Sequence, residues 1–215
     1  MKMKPNKTLT IAFTSIALVL GAQSAFADLS NWQIGVRALD VVPDAGSSPI
    51  TGIGGNVTDI SSEVVPELDI NYYFTNYVST ELILGTTRNS VQATGTSVGA
   101  VNLGKVSLLP PTLTLLYHFL PDSRIDPYLG AGVNYTHFYN ANSGDVASAI
   151  YYSDSFGPAL QAGFDVNINE NWAINFDVKK VFISSNVTAT VGGDNLTTNV
   201  KIDPMIYGLG LHYRF

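Results

Sequence analysis

Over much of the chain, apolar and polar residues alternate one by one. In residues 205–215, Met205, Tyr207, Leu209, Leu211, Tyr213 and Phe215 share one face, and Ile206, Gly208, Gly210, His212 and Arg214 share the other. A period of two sends successive side chains to opposite faces of a sheet. Residues 64–74 repeat the parity, with Leu68, Ile70, Tyr72 and Phe74 against Glu67, Asp69, Asn71 and Tyr73. Residues 112–119 set Leu113, Leu115, Tyr117 and Phe119 against Thr112, Thr114, Leu116 and His118. Segments 32–39, 78–87, 126–138, 156–166 and 172–183 continue the series. The pattern predicts eight strands, each of roughly the 9–11 residues that a tilted membrane strand needs.

A soluble sandwich also alternates, with its polar face in water. Three features favour a membrane barrel. The apolar rows end in aromatic residues beside the short connections: Tyr72 and Phe74, Tyr117 and Phe119, Phe164, Trp172, Tyr213 and Phe215. Rings of this kind suit the headgroup zone. Connections alternate between short turns (75–77, 120–124, 167–171) and long loops rich in Gly, Ser, Thr and Asn (40–63, 88–104, 139–155, 184–200). The last strand runs to Phe215. Composition agrees: only 13% of the 215 residues are charged, about half the usual ~25%, yet beyond the amino-terminal segment no apolar run approaches the ~20 residues of a spanning helix. The expected fold is therefore all-β: a transmembrane, eight-stranded, antiparallel up-and-down barrel with long extracellular loops and short periplasmic turns. Such a barrel is filled by side chains or holds one slim ligand, so bulk diffusion of hydrophilic solutes is not its expected task.

The first 27 residues read as a Sec export signal. Lys2, Lys4 and Lys7 precede an apolar run over 9–21, and Ala25-Phe26-Ala27 supplies the small residues of a cleavage site. The division expected is 1–27 signal and 28–215 barrel. Removing the signal leaves eight basic against 17 acidic residues, with no basic stripe for nucleic acid. Absence of cysteine excludes a disulfide scaffold, a thiolate metal site and a lipid-modified amino-terminal cysteine.

Several runs follow one another in order: Leu109-Pro110-Pro111-Thr112-Leu113 leading to Tyr117-His118-Phe119; Pro127-Tyr128-Leu129-Gly130-Ala131-Gly132-Val133-Asn134-Tyr135; Gln161-Ala162-Gly163-Phe164-Asp165; Asp177-Val178-Lys179-Lys180; and Ile202-Asp203-Pro204 leading to Gly210-Leu211-His212-Tyr213-Arg214-Phe215. The ordered set resembles the OmpW family of eight-stranded outer-membrane proteins, which includes the AlkL-type alkane importers. That resemblance implies a Gram-negative outer-membrane protein passing small hydrophobic molecules sideways into the membrane, with no cofactor. Tyr213 and Phe215 resemble the terminal signal read by the barrel assembly machinery, a partner in biogenesis.

The residues themselves offer three candidate sites. Pro66, Pro110 with Pro111, Pro158 and Pro204 fall in the outer halves of the even-numbered strands. Proline lacks a donor and avoids central strands, so Pro66, Pro111, Pro158 and Pro204 form a candidate lateral gate; the alternative is that they start strands or sit at bulges. Near the turns the inner face carries Arg37, Asp69, Glu81, His118, Asp165, Asp177, Lys179, His212 and Arg214, a candidate polar plug, since buried ions require partners. Farther out it carries Leu39, Val181, Ile183, Ile202 and Ile206, with Gly130, Gly132, Gly208 and Gly210 at mid-depth. These read as an apolar funnel with room left by glycine, or as ordinary barrel filling.

Catalysis is not expected. His137 is the histidine near an outer rim, with Ser143, Asp145, Ser153 and Asp154 following, but parity places it on the lipid-facing row. The three histidines show no metal-ligand spacing, and Gly130-Ala131-Gly132 and Gly208-Leu209-Gly210 lie inside strands rather than opening a helix. Within loop 139–155, residues 146–152 are a candidate short helix over the mouth. Two functions remain: passive uptake of small hydrophobic solutes, or a surface-interaction barrel (adhesin or receptor) acting through its loops. Outer-membrane lipid is a partner in both, and the loops are accessible to phage or toxin.

Overall fold

The computed structural model describes residues 30–97, 99–144 and 147–215. The export signal expected over 1–27 lies outside them. Eight strands close a barrel in the order β1 (Trp32–Val42), β4 (Glu63–Thr75), β5 (Val78–Gly85), β8 (Thr112–His118), β9 (Ile125–Asn142), β11 (Ser155–Asn167), β12 (Trp172–Val181) and β15 (Met205–Arg214), which returns to β1. Every pairing is antiparallel, so closure leaves no strand edge to be satisfied in this ring. The eight alternating segments map onto these strands.

Four loops expected at the other end are largely sheet. β2 (Gly46–Ser47) and β3 (Asn56–Ile60) lie within 40–63. β6 (Thr87–Thr96) and β7 (Gly99–Leu109) form a hairpin that continues β5 and β8. β13 (Ser184–Val191) and β14 (Asp194–Lys201) do the same for β12 and β15. Their Gly, Ser, Thr and Asn content obscured the strand signal. The alternation persists nonetheless, because Val91, Ala93, Val101, Leu103, Val106, Val187 and Val200 point inward and pack into one apolar core. Positive φ angles at Gly95, Gly99, Gly192 and Gly193 turn these hairpins. The candidate helix at 146–152 is corrected as well: β10 (Ala149–Tyr152) is a strand paired with β13, and Val146 lies outside the described residues. At ~3.4 Å per residue, even tilted by ~45° the 18-residue β9 rises beyond a ~30 Å hydrocarbon core.

The burial pattern is inverted relative to a water-soluble protein. Leu115 and Leu209 on the outside are 57% and 52% exposed, whereas Arg37 on the inside is 1% exposed. Around the turn end the outer face carries an aromatic girdle: Trp32 packs on Tyr72 at 4.9 Å, Tyr117 on Phe119 at 5.1 Å, and Trp172 on Tyr213 at 4.9 Å. Tyr213 also meets Phe215 at 5.1 Å, so the two residues of the candidate assembly signal sit in this girdle.

Candidate functional site

Strand register brings the inner charges together. Arg37 stands opposite Glu67 across β1–β4, and Asn71 opposite Glu81 across β4–β5. Arg37 Nε donates to Glu67 at 2.6 Å and lies 3.4 Å from Asp69; Nη2 is 3.0 Å from Glu81. Lys179 Nζ pairs with Asp177 and lies 3.9 Å from both Glu67 and Glu81. His212 bridges Asp69 at 3.4 Å and Asp165 at 3.2 Å. His118 links Asp126 at 2.7 Å to Ser79 at 3.0 Å. Arg214 is half-buried at the turn end, 4.0 Å above the Tyr73 ring. All nine candidate plug residues thus face the lumen.

Neutral side chains complete this block and were not singled out from the sequence. Gln161 Nε2 donates to Glu81 at 2.9 Å and Asp177 at 2.8 Å; Asn175 Nδ2 donates to Asp165 at 2.8 Å; the Tyr128 hydroxyl donates to Asp177 at 3.0 Å. Parity places them inside, but only the register shows which carboxylate each meets. Asp69, Glu81 and His212 could also face a metal ion. With Arg37 already 3.0 Å from Glu81, the cluster has its cation. Beneath the block, toward the turns, lies a polar vestibule of about 490 Å³ bordered by Gln33, Asp126, Asp165 and Arg214.

Above Glu67 and Lys179 the lumen becomes hydrocarbon. Leu39, Val181, Ile183, Ile202 and Ile206 line a cavity of about 50 Å³, with Glu67 and Lys179 among its walls. The four mid-depth glycines are not among its lining residues. Their missing Cβ atoms admit neighbours instead: Leu116 at Gly130, the Leu113 backbone at Gly132, Leu39 at Gly208 and Arg37 at Gly210. The room expected for a ligand at those positions is taken up by packing.

The barrel wall is uneven beside this cavity. β4 pairs with β5 as far as Glu67–Gly85, and β5 with β8 as far as Ile83–Thr112. Pairing resumes beyond Pro110 and Pro111 at Thr87–Leu108, between β6 and β7. Among the described residues Thr86, between β5 and β6, therefore has no ladder partner on either side; its hydroxyl contacts the Leu108 carbonyl at 3.0 Å and the Tyr139 hydroxyl at 2.6 Å. Pro66 follows the last β4–β5 pair on the opposite strand, and the next backbone bond across this seam is Ser61 N to Ser90 O at 3.1 Å. Val65, Gly85, Thr86 and Thr87 line both the seam and the cavity.

The other two prolines sit in a closed wall. Phe182 N donates to Pro158 O at 3.1 Å and Val181 N to Pro204 O at 3.2 Å. Ile183 N reaches the Asp203 carboxylate at 2.8 Å, and Ile202 N reaches Ile183 O at 2.9 Å. Of the four candidate gate residues, Pro66 and Pro111 border the break, although Pro111 O accepts Tyr135 N at 3.1 Å on its β9 side, whereas Pro158 and Pro204 accept bonds that seal their seams.

At the loop-end rim, His137 Nδ1 lies 2.9 Å from Asp154, whose carboxylate also accepts the Tyr135 hydroxyl at 2.6 Å. These bonds hold the Asp154 carboxyl below its ordinary range, Tyr135 contributing most. Ser153 Oγ is committed to the Asn186 backbone amide. The rim therefore supplies a histidine–carboxylate pair bonded to the Tyr135 phenol, with no serine or threonine hydroxyl bonded to it among the described residues, and His137 points outward as its parity indicated.

Comparison with known proteins agrees with this architecture. The model of the OmpW family matches residues 30–215. An uncharacterized outer-membrane protein, y4mB, of Sinorhizobium fredii is 44% identical over 94% of this chain and 87% of its own length. The dibenzothiophene metabolism operon protein PahQ of Pseudomonas aeruginosa is 26% identical over 98% of this chain and 99% of its own. Among solved structures, the outer-membrane protein OprG of Pseudomonas aeruginosa superposes with a TM-score of 0.78 at 26% identity, over 88% of this chain and 98% of that one.

Proposed function

This chain belongs to the OmpW family of outer-membrane barrels, and from that premise we propose that it passes small hydrophobic molecules passively from outside the cell into the membrane. The solute descends between the apolar side chains at the loop end, is stopped by the charged block, and leaves sideways at Thr86, between Pro66 and the Pro110–Pro111 pair. The observation that carries this reading is the coincidence of three features at one depth: the apolar cavity, the charged floor and the unpaired backbone.

Magnitudes favour sideways exit. Straight passage would require opening a block of buried ion pairs, and a broken buried pair costs several kcal/mol. The seam at Thr86 has few ladder bonds to lose. The cavity holds about 50 Å³, while a benzene molecule occupies an engineered cavity of about 150 Å³. A solute must therefore displace hydrocarbon side chains, and an adjacent weak wall accommodates that displacement. The similar protein PahQ is named for a dibenzothiophene metabolism operon, which supports an apolar cargo class. The first 27 residues serve in this reading as the export signal.

The test is uptake of a medium-chain alkane by cells at matched levels of folded barrel. Pro66→Ala with Pro110→Ala and Pro111→Ala should slow uptake, while Pro158→Ala with Pro204→Ala should leave it unchanged. Equal behaviour of the two variants would remove the seam from the mechanism. No uptake by the unaltered barrel of any apolar probe would shift the role to its extracellular surface.

A further inference from the structure

Three small spaces lie among the described residues of the apolar interior above the charged block. The outermost, about 80 Å³, lies among Ile50, Leu103, Ile150, Val187 and Leu196. The innermost is the cavity of about 50 Å³ beside the seam. At a depth between them is a small space of about 10 Å³, here called the neck, which shares Asn89, Leu108 and Ile202 with the innermost space. Tyr152, at the end of β10, forms part of this neck, stacked on Phe138 with ring centroids 5.6 Å apart and planes 12° from parallel.

Most of the neck is hydrocarbon: Ile60, Val91, Val106 and Val200. Its other polar side chains are engaged, Asn89 donating to the Ser61 carbonyl at 2.6 Å and Ser185 to the Ser153 carbonyl at 2.7 Å. The Tyr152 hydroxyl is buried and finds no partner among the described residues, although a phenol can both donate and accept. Burial pushes this phenol up from its ordinary range, so it stays a neutral donor. Phenylalanine would fill the same volume without an unmatched oxygen. The hydroxyl therefore does nothing for packing.

We propose that Tyr152 is a selectivity residue, whose hydroxyl donates a hydrogen bond to the oxygen of a solute passing between the outer and inner apolar spaces. The favoured cargo is then a largely hydrocarbon molecule carrying one carbonyl, ester or hydroxyl oxygen, in preference to a pure hydrocarbon. Such a solute sheds water from its oxygen on entering the apolar spaces, an unfavourable step unless a partner replaces it. One hydrogen bond at the neck supplies that partner while leaving the solute free to move on, since conduction needs binding that is weak enough to release. This inference rests on the transport reading above and names its substrate class.

The experiment compares n-decane with 2-decanone in liposomes containing the barrel, each rate divided by that through protein-free liposomes. Tyr152→Phe should lower the ketone rate by about fivefold, the worth of one hydrogen bond, and leave the alkane rate unchanged. Equal changes for both probes, or none for either, would overturn the proposal. The unaltered barrel provides a second criterion that does not depend on the variant folding: its ketone acceleration must exceed its alkane acceleration, and equal accelerations contradict the assignment. If the unaltered barrel accelerates neither probe, the transport reading fails and this inference with it, a result distinguishable from the loss of discrimination alone.

Discussion

Below Glu67 and Lys179 the lumen is a continuous block of paired charges and amides; above them it is hydrocarbon broken by small cavities. The strands alternate in the same way through both halves, so alternation alone decides only what faces inward. The difference lies in how each half resists change. Ion pairs and hydrogen bonds are directional, and each member of the lower block depends on several others. Apolar packing is non-directional and accepts rearrangement at lower cost. A barrel built this way has a fixed floor and a deformable upper chamber. The broken seam at Thr86 lies where one passes into the other.

Substitutions can break that contrast in order of severity. Arg37→Ala should be the most damaging, because it strands Glu67, Asp69 and Glu81 in the interior. Removing one partner of a buried pair costs about 3–5 kcal/mol, visible as a lower urea midpoint for unfolding from lipid vesicles. Ile202→Ala, in the upper half, should cost about 2–4 kcal/mol by the same assay yet accelerate apolar uptake, because Ile202 lines both the neck and the chamber. A loss of uptake at matched folded protein would show that the upper half is as rigid as the lower. Asp154→Asn at the rim should have the smallest effect. The Asp154 carboxyl titrates below its unfolded value, so its contribution to stability is present above that value and is lost as pH falls through the folded one. The variant should differ slightly from the unaltered protein at neutral pH, converge with it in acid, and transport equally well at either pH.

The barrel was legible because parity survives chemistry. Met205–Arg214 alternates cleanly whatever residues face inward, and the same rule put Arg37, Lys179 and His212 inside. Closed pairing then follows from eight such strands. The hairpins β6–β7 and β13–β14 were hidden because Ser, Thr and Asn occupy their outward positions in water, so composition resembled a loop while Val91, Val101 and Val187 carried the strand signal. The lumen-facing charges could be listed from parity, but not their wiring: that Glu67 faces Arg37 depends on register across thirty residues of chain. The weak seam was least legible. All four prolines look alike in sequence, and what separates Pro66 from Pro204 is whether a neighbouring amide, here Val181 N, closes the gap. The mid-depth glycines leave two readings open in sequence, a funnel or ordinary barrel filling, for a related reason, since an absent side chain marks space without saying which neighbour fills it.

The central claim is that solute leaves through the seam between Pro66 and Thr86, and the absence of cysteine from the chain makes it directly testable. With Pro66→Cys and Thr86→Cys introduced together, oxidation would tie β4 to the break between β5 and β6, and reduction would release it. Uptake of an apolar probe should fall to the rate of barrel-free membranes when the disulfide is formed and rise on reduction to the rate of the same variant never oxidised. Undiminished uptake by fully cross-linked protein, its disulfide verified by mass spectrometry, would contradict the account.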